Sequence, residues 1–521
     1  MTPNIPVPLL FFLAAISTLG IQTVSAESSP PNIIYILADD MGYGDVKAFN
    51  PDCQFPTPNL DRMADEGMLF ADAHTNSSVC TPTRYGILTG RYAWRTEKKS
   101  GVTQGHSTDL IAPDQETVAS LLKRQGYSTA CFGKWHLGMQ WSAKDGEDAC
   151  ASDGKNVDIH ASIKQGPLDR GFDYYFGISA SLNMPPHAFI ENRKVLGDLF
   201  YAADRDEIKE AGLAGAKPGW VSKEFRQDQV LPELAQRAAR WIEAINQKPF
   251  FLYMPLNAPH SPIVPNDRFK GKSGIGDYGD FCMEVDWAVG QILDTVDRLG
   301  IANNTLIIFT ADNGCSPTAK FEKLHEQGHY PSYIYRGLKG SLWEAGHRVP
   351  FIARWPQTTP AGSRNDQLIC VTDMIATVAE ILAIDLPDET GEDSVSFLDA
   401  LKGKEKPDES RGGIVHHSDS GWFSIRDSKW KLVLHEAGGT RRSNPADQPL
   451  EKPARIQLFN LEEDPSETTN LQALHPEKAV SLQRQLARFI QDGRSTSGSP
   501  QTYNKGKRWE QIEMLSPFLE N

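Results

Sequence analysis

Positive charge is in the minority in this chain of 521 residues: 53 Lys and Arg stand against 67 Asp and Glu, a formal net charge of −14. That balance excludes a polyanion-binding surface as the general mode and argues against bulk binding of nucleic acid. Cysteine is sparse, at 7 residues, and no cysteine–histidine spacing of the structural zinc kind occurs. There is no internal repeat. Past the N-terminus, no segment approaches the roughly 18 consecutive apolar residues of a membrane-spanning helix. Hydrophobic residues make up 40% and charged residues 23%. This is globular composition and excludes a disordered chain, a collagen-like repeat and a coiled coil. The length fits two domains, or one large α/β domain with an appendage.

What is present begins with a short apolar run, Val7 to Ile21, followed by the small residues Val24-Ser25-Ala26 and then polar sequence from Glu27. Together they read as a signal peptide over residues 1–26, although no Lys or Arg precedes the run. An uncleaved N-terminal anchor is the alternative. The expectation is an exported chain, periplasmic or secreted, or routed through the endoplasmic reticulum to a lysosome if eukaryotic. The mature chain should have no stable membrane span. Export permits disulfides, so six of the seven cysteines could pair, with at least one left over.

The body alternates apolar runs with helical patterns, an α/β signature. Strands are expected at Asn32–Ala38, Tyr127–Phe132, Pro249–Met254 and Thr305–Thr310. Helices are expected after Pro113-Asp114 up to Gly126, over Leu231–Ile245, and over Phe281–Leu299 before Gly300. A charge-dense, Pro-containing stretch from Lys402 to Arg411 reads as a linker. Beyond it, Gly413–His417 and Trp430–Leu434 read as strands of a smaller domain, closed by a helix over Pro476–Gln491.

Four of the strands are apolar until their carboxyl ends and then abruptly polar. They lead into Asp39-Asp40, Gly133-Lys134-Trp135-His136, Asn257-Ala258-Pro259-His260 and Asp312-Asn313-Gly314. Ligands bind at the carboxyl ends of strands in open α/β sheets. Asp39, Asp40, Asp312 and Asn313 offer only oxygen, which suits a hard cation such as Ca²⁺ or Mg²⁺. Adjacent carboxylates repel unless a cation or proton lies between them. The plain alternative, Asp39-Asp40 as a helix cap, weakens because Asp312-Asn313 ends a second strand in the same way.

The segment Cys80-Thr81-Pro82-Thr83-Arg84 is followed by Leu88-Thr89-Gly90-Arg91. Pro82 belongs in the first turn of a helix, with Thr81 as its expected cap. Cys80 should therefore lie at a helix N-terminus, where the macrodipole favours anions.

These segments together resemble the type I sulfatases, the arylsulfatase-like branch of the alkaline phosphatase superfamily. The resemblance spans about Asn32 to Leu471. It runs through A-D-D-M-G-Y-G-D (Ala38–Asp45), C-T-P-T-R, L-T-G-R, G-K-W-H-L-G (Gly133–Gly138), N-A-P-H and A-D-N-G. R-G-L-K-G-S-L-W-E-A-G-H-R-V-P (Arg336–Pro350) and L-F-N-L-E-E-D-P (Leu458–Pro465) complete it. It implies a large, mostly parallel mixed sheet sandwiched by helices (27–405) and a small C-terminal α+β subdomain with an antiparallel sheet (406–521).

The resemblance also implies roles. Cys80 is the cysteine oxidised by a maturation enzyme to formylglycine, whose hydrate is the nucleophile, and Arg84 stabilises it. Asp39, Asp40, Asp312 and Asn313 hold one Ca²⁺, which also touches the residue at Cys80. Lys134 and Lys339 bind the sulfate, His136 accepts a proton from the second hydroxyl, and His260 protonates the leaving alcohol. Ser181 matches a serine that contacts sulfate. The implied activity is hydrolysis of sulfate esters, with a sulfated carbohydrate as substrate and aryl sulfates as model compounds. A phosphonate or phosphate ester hydrolase, or a non-catalytic binder of sulfated glycans, are the competing readings. Two departures stand out: Thr81 and Thr83 replace the commoner small residues of the cysteine motif, and Glu344-Ala345-Gly346-His347 replaces the familiar E-G-G.

Other residues carry plainer expectations. His74, His187, His325 and His329 read as loop or surface residues, Trp135 and His416-His417 as packing, and Cys131 as a buried thiol or bridge partner. Asn76 and Asn303 head glycosylation sequons.

Overall fold

The computed structural model describes residues 1, 3–4, 29–146, 149, 154–245, 248–404, 411–448, 454–504 and 509–519. The apolar run with its cleavage site, the boundary at 405/406 and Cys150 lie outside the described residues.

Ten strands form the main sheet: β1 Asn32–Ala38, β2 Met68–Phe70, β3 Ser128–Lys134, β4 Tyr174–Ile178, β5 Ile190–Glu191, β6 Lys194–Val195, β7 Phe250–Pro255, β8 Thr305–Ala311, β9 Phe351–Arg354 and β10 Ser363–Asn365. Their spatial order is β10-β2-β9-β8-β1-β7-β3-β4-β5-β6. The central run β8-β1-β7-β3-β4 is parallel. Antiparallel pairings attach β9, β2, β5 and β6.

The central strands are apolar along their whole length because both faces are covered. On one face Ile34 and Ile36 of β1 meet Leu234, Ala238 and Ile242 of the helix Val230–Ile245 and Phe281, Val285 and Ile292 of the helix Asp277–Arg298. On the other, Ile33, Tyr35 and Leu37 meet Ile87 and Leu88 of Cys80–Thr89, Leu121 and Leu122 of Val118–Arg124, and Ile375 and Val378 of Met374–Ile381.

A second, four-stranded antiparallel sheet follows: β11 Ile414–His417, β12 Phe423–Asp427, β13 Trp430–Val433 and β14 Gln457–Asn460. The helix Pro476–Gln491 lays Leu482, Leu486 and Phe489 on Val415, Phe423, Ile425 and Leu432. Tyr92 and Trp94 enter the same core from the body of the molecule, so the two sheets are knitted by shared apolar burial.

Three expectations change. The third helix starts at Val118, not at Pro113-Asp114. A reciprocal cap sets its start: the Ser120 amide donates to Thr117 Oγ1 at 3.0 Å and the Thr117 amide to Ser120 Oγ at 2.9 Å. The long helix over Asp277–Arg298 begins four residues before Phe281. Cys53, Cys80, Cys131, Cys282, Cys315 and Cys370 are all buried free thiols, so no bridge forms among them. Cys53, Cys131, Cys282, Cys315 and Cys370 are absorbed into packed interior as small hydrophobes. Among the described residues no helix is long and apolar enough to cross a membrane.

Candidate active site

β8, β1, β7 and β3 are the four strands with polar carboxyl ends, and they are consecutive neighbours. Ala38 stands opposite Ala311 across β1 and β8, so Asp39 and Asp312 leave the sheet side by side. The Asp312 amide donates to Ala38 O at 3.0 Å and the Asp39 amide to Ala258 O at 2.9 Å, carrying the ladder past the strand ends. Two residues then turn sharply: Asp40 at φ 69° and His136 at φ 56° are left-handed without being glycine. Such conformations cost free energy and recur where a side chain must be aimed. Glycine is needed where backbones touch. A Cβ on Gly133 would meet Pro255 O at 1.8 Å, and one on Gly314 would meet Ala345 O at 1.7 Å.

The side chains form one buried cluster. Arg84 is fully buried and sets Nε and Nη2 3.0 and 2.7 Å from Asp312 Oδ2, with Nη1 2.8 Å from Lys134 O. Lys134 Nζ lies 2.7 Å from Asp39 Oδ2. Lys339 Nζ bonds Asp40 Oδ1 and lies 3.6 Å from Cys80 Sγ. Asn313 Nδ2 donates to Asp40 Oδ1 at 2.8 Å. Cys80 is the first residue of the helix Cys80–Thr89, whose start no side chain caps. Its orphan amides and dipole give the end a partial positive charge.

Electrostatics follow from packing. Burial alone would raise the Asp39 carboxyl, but Lys134, His260, Arg84 and Lys339 hold it well below the usual range. Burial and then the neighbouring Asp39 push Asp312 up to about 7. The Lys339 ammonium is raised: burial opposes the charge, and Asp40 and Cys80 more than offset it. Three oxygens, Asp39 Oδ1, Asp40 Oδ2 and Asn313 Oδ1, are buried without any hydrogen-bond partner. Atoms of Asp39, Asp40, Cys80 and His260 able to ligate lie within 4.8 Å of one another. Unpartnered buried oxygens are costly, and an all-oxygen donor set beside clustered carboxylates fits a hard divalent cation.

The two histidines differ. His136 Nε2 lies 2.9 Å from Thr103 O. A carbonyl only accepts, so Nε2 carries the proton and Nδ1, buried and unpartnered, holds a free lone pair. Burial, then the Lys134 and Arg84 charges, keep His136 well below its ordinary range and so neutral. His260 instead uses Nδ1 on Ser261 O and turns Nε2 to 3.7 Å from Asp40 Oδ2. It sits at the rim, its side chain 12% exposed. Beside it opens a cavity of about 270 Å³ lined by Ser261, Ile263, Tyr278, Thr318, Lys320 and Lys323.

Cys80, Arg84, Lys134, His136, His260, Lys339, Asp39, Asp40, Asp312 and Asn313 are thus brought together. Ser181 is buried, but its hydroxyl has no hydrogen-bond partner in this group. What ties that segment to the site is Ser179, whose carbonyl accepts the His136 amide at 2.9 Å.

Thr81 is not the helix cap, because the helix begins one residue earlier and Val79 holds the cap position. The Thr81 hydroxyl donates instead to His136 O at 2.9 Å, and the Thr83 hydroxyl to Ser77 O at 2.9 Å. His74, His187 and His329 are buried rather than on loops at the surface. His329 Nε2 lies 2.8 Å from Asp45 Oδ1, and Asp45 also accepts from Tyr278, which reaches Asp40 O at 3.5 Å. Asp45 closes the A-D-D-M-G-Y-G-D motif, and that offset was the signal for this support. Asn76 is buried with its amide on Pro82 O at 2.9 Å, which leaves it no room for a glycan.

The family model described as Sulfatase matches residues 31–384. The chain belongs to the sulfatase family, in the alkaline phosphatase superfamily. Its relatives make it a sulfuric ester hydrolase of the arylsulfatase-like kind. It is 34% identical over 504 residues to an N-acetylgalactosamine-6-O-sulfatase of Bacteroides thetaiotaomicron, covering 88% of this chain and 93% of that one. It is 31% identical to bovine (Bos taurus) arylsulfatase A, covering 87% and 86%. Among solved structures, a 6S-sulfatase from the glycosaminoglycan metabolism of Bacteroides thetaiotaomicron superposes with a TM-score of 0.75 at 33% identity, over 88% of this chain and 99% of that one. A protein crystallised with k-i-k-neocarrahexaose superposes with a TM-score of 0.65 at 25% identity, over 91% and 96%.

Proposed function

We propose that this sulfatase works through a formylglycine made from Cys80 and a Ca²⁺ bound by Asp39, Asp40, Asp312 and Asn313, and that its substrate is a sulfated carbohydrate. The observation that carries the reading is the set of three buried, unpartnered oxygens beside Cys80, with Lys134 and Lys339 on their flanks. Here Cys80 Sγ stands where the formylglycine oxygens would be. The cation would neutralise the carboxylates and polarise the sulfate ester.

Each residue then has a chemical task. Lys134, Lys339 and Arg84 offset the negative charge that would otherwise repel a nucleophile from the ester. The hydrated aldehyde that Cys80 would supply is the nucleophile: one of its hydroxyls, its proton released to water, would bond to sulfur as the bond from sulfur to the alcohol oxygen breaks. His260, with Nδ1–H on Ser261 O, would give that oxygen a proton from Nε2 as the imidazolium. His136 Nδ1, with its lone pair free, takes the proton of the second hydroxyl as that oxygen closes to the aldehyde and sulfate leaves. Water then restores the hydrate. The cavity next to His260, reached at Ser261, has room for a sugar ring. The relatives named for N-acetylgalactosamine-6-sulfate and for glycosaminoglycans support a carbohydrate over a small aryl ester. The apolar run and small-residue site at residues 1–26 support export, before or during which the maturation enzyme would meet Cys80.

The test is sulfate release by the chain produced with a formylglycine-generating enzyme and Ca²⁺. Turnover of an aryl sulfate, and of 6-O-sulfated N-acetylgalactosamine among a panel of sulfated sugars, is expected. A matched aryl phosphonate turned over faster than the sulfate would favour the phosphonate hydrolase instead. Binding of sulfated sugars without release of sulfate from any of them would contradict the assignment.

A further inference from the structure

Lys339 sits in the middle of a loop whose ends are held from the second sheet. The Ala345 amide donates to Arg336 O at 2.8 Å, so the loop from 336 to 345 closes on itself. Glu467, two residues past the L-F-N-L-E-E-D-P segment, grips both ends of that closure. Its carboxylate Oε2 accepts the Glu344 amide at 2.7 Å, and its backbone carbonyl accepts Arg336 Nη1 at 2.9 Å. Its other oxygen, Oε1, lies 2.8 Å from Lys431 Nζ of β13. Glu467 is fully buried and left-handed, at φ 52°. A buried carboxylate in a conformation disfavoured for a residue with a Cβ persists only where its surroundings hold it there. The crown of the same loop reaches the nucleophile: the Gly340 amide donates to Ser78 O at 2.9 Å, the Lys339 amide to Cys315 O at 3.0 Å, and Lys339 Nζ is 3.6 Å from Cys80 Sγ.

We propose that Glu467 is a positioning residue for the reaction: from the turn after the C-terminal sheet, anchored on Lys431, it fixes the Arg336–Glu344 loop and thereby aims Lys339 at the sulfate. This rests on the reading of Lys339 as a sulfate-binding group. Glu467 touches neither substrate nor the reacting atoms, and its whole effect passes through the loop.

The experiment compares Glu467→Ala, Glu467→Gln, Lys339→Ala and the Glu467→Ala/Lys339→Ala pair in the full, matured chain. The readouts are KM and kcat for an aryl sulfate and inhibition by inorganic sulfate, with melting temperatures alongside. Misplacing one binding group by about an ångström costs on the order of ten- to a hundredfold. Glu467→Ala is therefore expected to raise KM and weaken sulfate inhibition about tenfold. Glu467→Gln offers one oxygen in place of two and should fall between Glu467→Ala and the parent. It also serves if Glu467→Ala fails to fold. In the Lys339→Ala background, Glu467→Ala should change kcat/KM by no more than about twofold, because both act through one group. Effects that multiply in the double variant would overturn the proposal, as would a lower melting temperature with KM and sulfate inhibition unchanged. If Lys339→Ala alone left both constants unaltered, the sulfate-binding reading of Lys339 would fall first, and the positioning role with it.

Discussion

Two buried charge clusters in this molecule have the same formal make-up and opposite characters. At the strand ends, Asp39, Asp40 and Asp312 meet Arg84, Lys134 and Lys339. Between the two sheets, Asp72, Glu344 and Glu467 meet Arg348, Arg426 and Lys431. Both hold three carboxyl groups and three basic side chains, so composition does not tell them apart.

Hydrogen bonding and access do. In both clusters every carboxylate lies within 3.1 Å of a basic group of the chain, and in the second the atoms without a hydrogen bond are Glu467 Oε1, which has its ion pair with Lys431, and His416 Nε2. His74 and His347 join it through Nδ1 atoms 3.0 Å apart, and His347 and His416 stack with ring centres at 3.6 Å. Burial, ahead of neighbouring charges, lowers all three histidines and leaves them neutral. In the first cluster three oxygens and one imidazole nitrogen lack partners, and His260 opens to solvent at its edge. Its two lysines are held by carboxylates that a divalent cation would take over, which frees both ammoniums for an anion. Unmet atoms around Cys80 at a rim open to solvent are placed to receive a ligand, whereas those of the second cluster, Glu467 Oε1 and His416 Nε2, are sealed inside the fold.

Removing one carboxylate from each cluster should therefore give opposite outcomes. The larger effect is expected from Asp312→Asn. Turnover of an aryl sulfate should fall on the order of a thousandfold, because a charge on the cation is lost where transition-state charge is stabilised. The melting temperature should change little: burial and Asp39 disfavour the ionised Asp312, and Arg84 keeps Lys134 O at 2.8 Å and Asp39 Oδ1 at 3.6 Å. Asp72→Asn should do the reverse. It takes the nearest carboxylate from Arg426 and Arg348 and leaves Glu344 alone to both, a loss of about 3 kcal/mol of stability by denaturant titration. Specific activity per folded molecule should stay within a fewfold.

The smallest effect lies in pH. Burial opposes ionisation of Asp72, but Arg348 and Arg426 hold its carboxyl below the usual range. Its folded value is thus below its unfolded one. The stability it contributes is present above about pH 4 and is lost as pH falls below that value. The parent should lose stability on acidification below about pH 4 more steeply than Asp72→Asn. Equal slopes for the two would mean that Asp72 is not ion-paired as described.

The same contrast explains what could be read from the sequence. The first cluster was legible because its chemistry constrains residue type over short spans. Asp39-Asp40, Gly133–His136, Asn257–His260 and Asp312–Gly314 each follow an apolar strand, and parallel strands point their carboxyl ends the same way. The second was not legible. Asp72 and Arg426 are 354 residues apart, and His74, His347 and His416 each look like a lone histidine until the sheets meet. Short elements were missed for a related reason: β9 and β10 are four and three residues long and owe their form to neighbours rather than to pattern. The Thr81 cap failed because a hydroxyl that fits a cap was needed for the His136 carbonyl.

The central claim is that Cys80 is the precursor of the nucleophile at an anion-receiving cluster. The most direct measurement is the mass of the peptide that carries Cys80, from active protein isolated from its native source. The account predicts a peptide lighter by the conversion of a cysteine thiol to formylglycine, in proportion to specific activity. An unmodified thiol in fully active protein would contradict it.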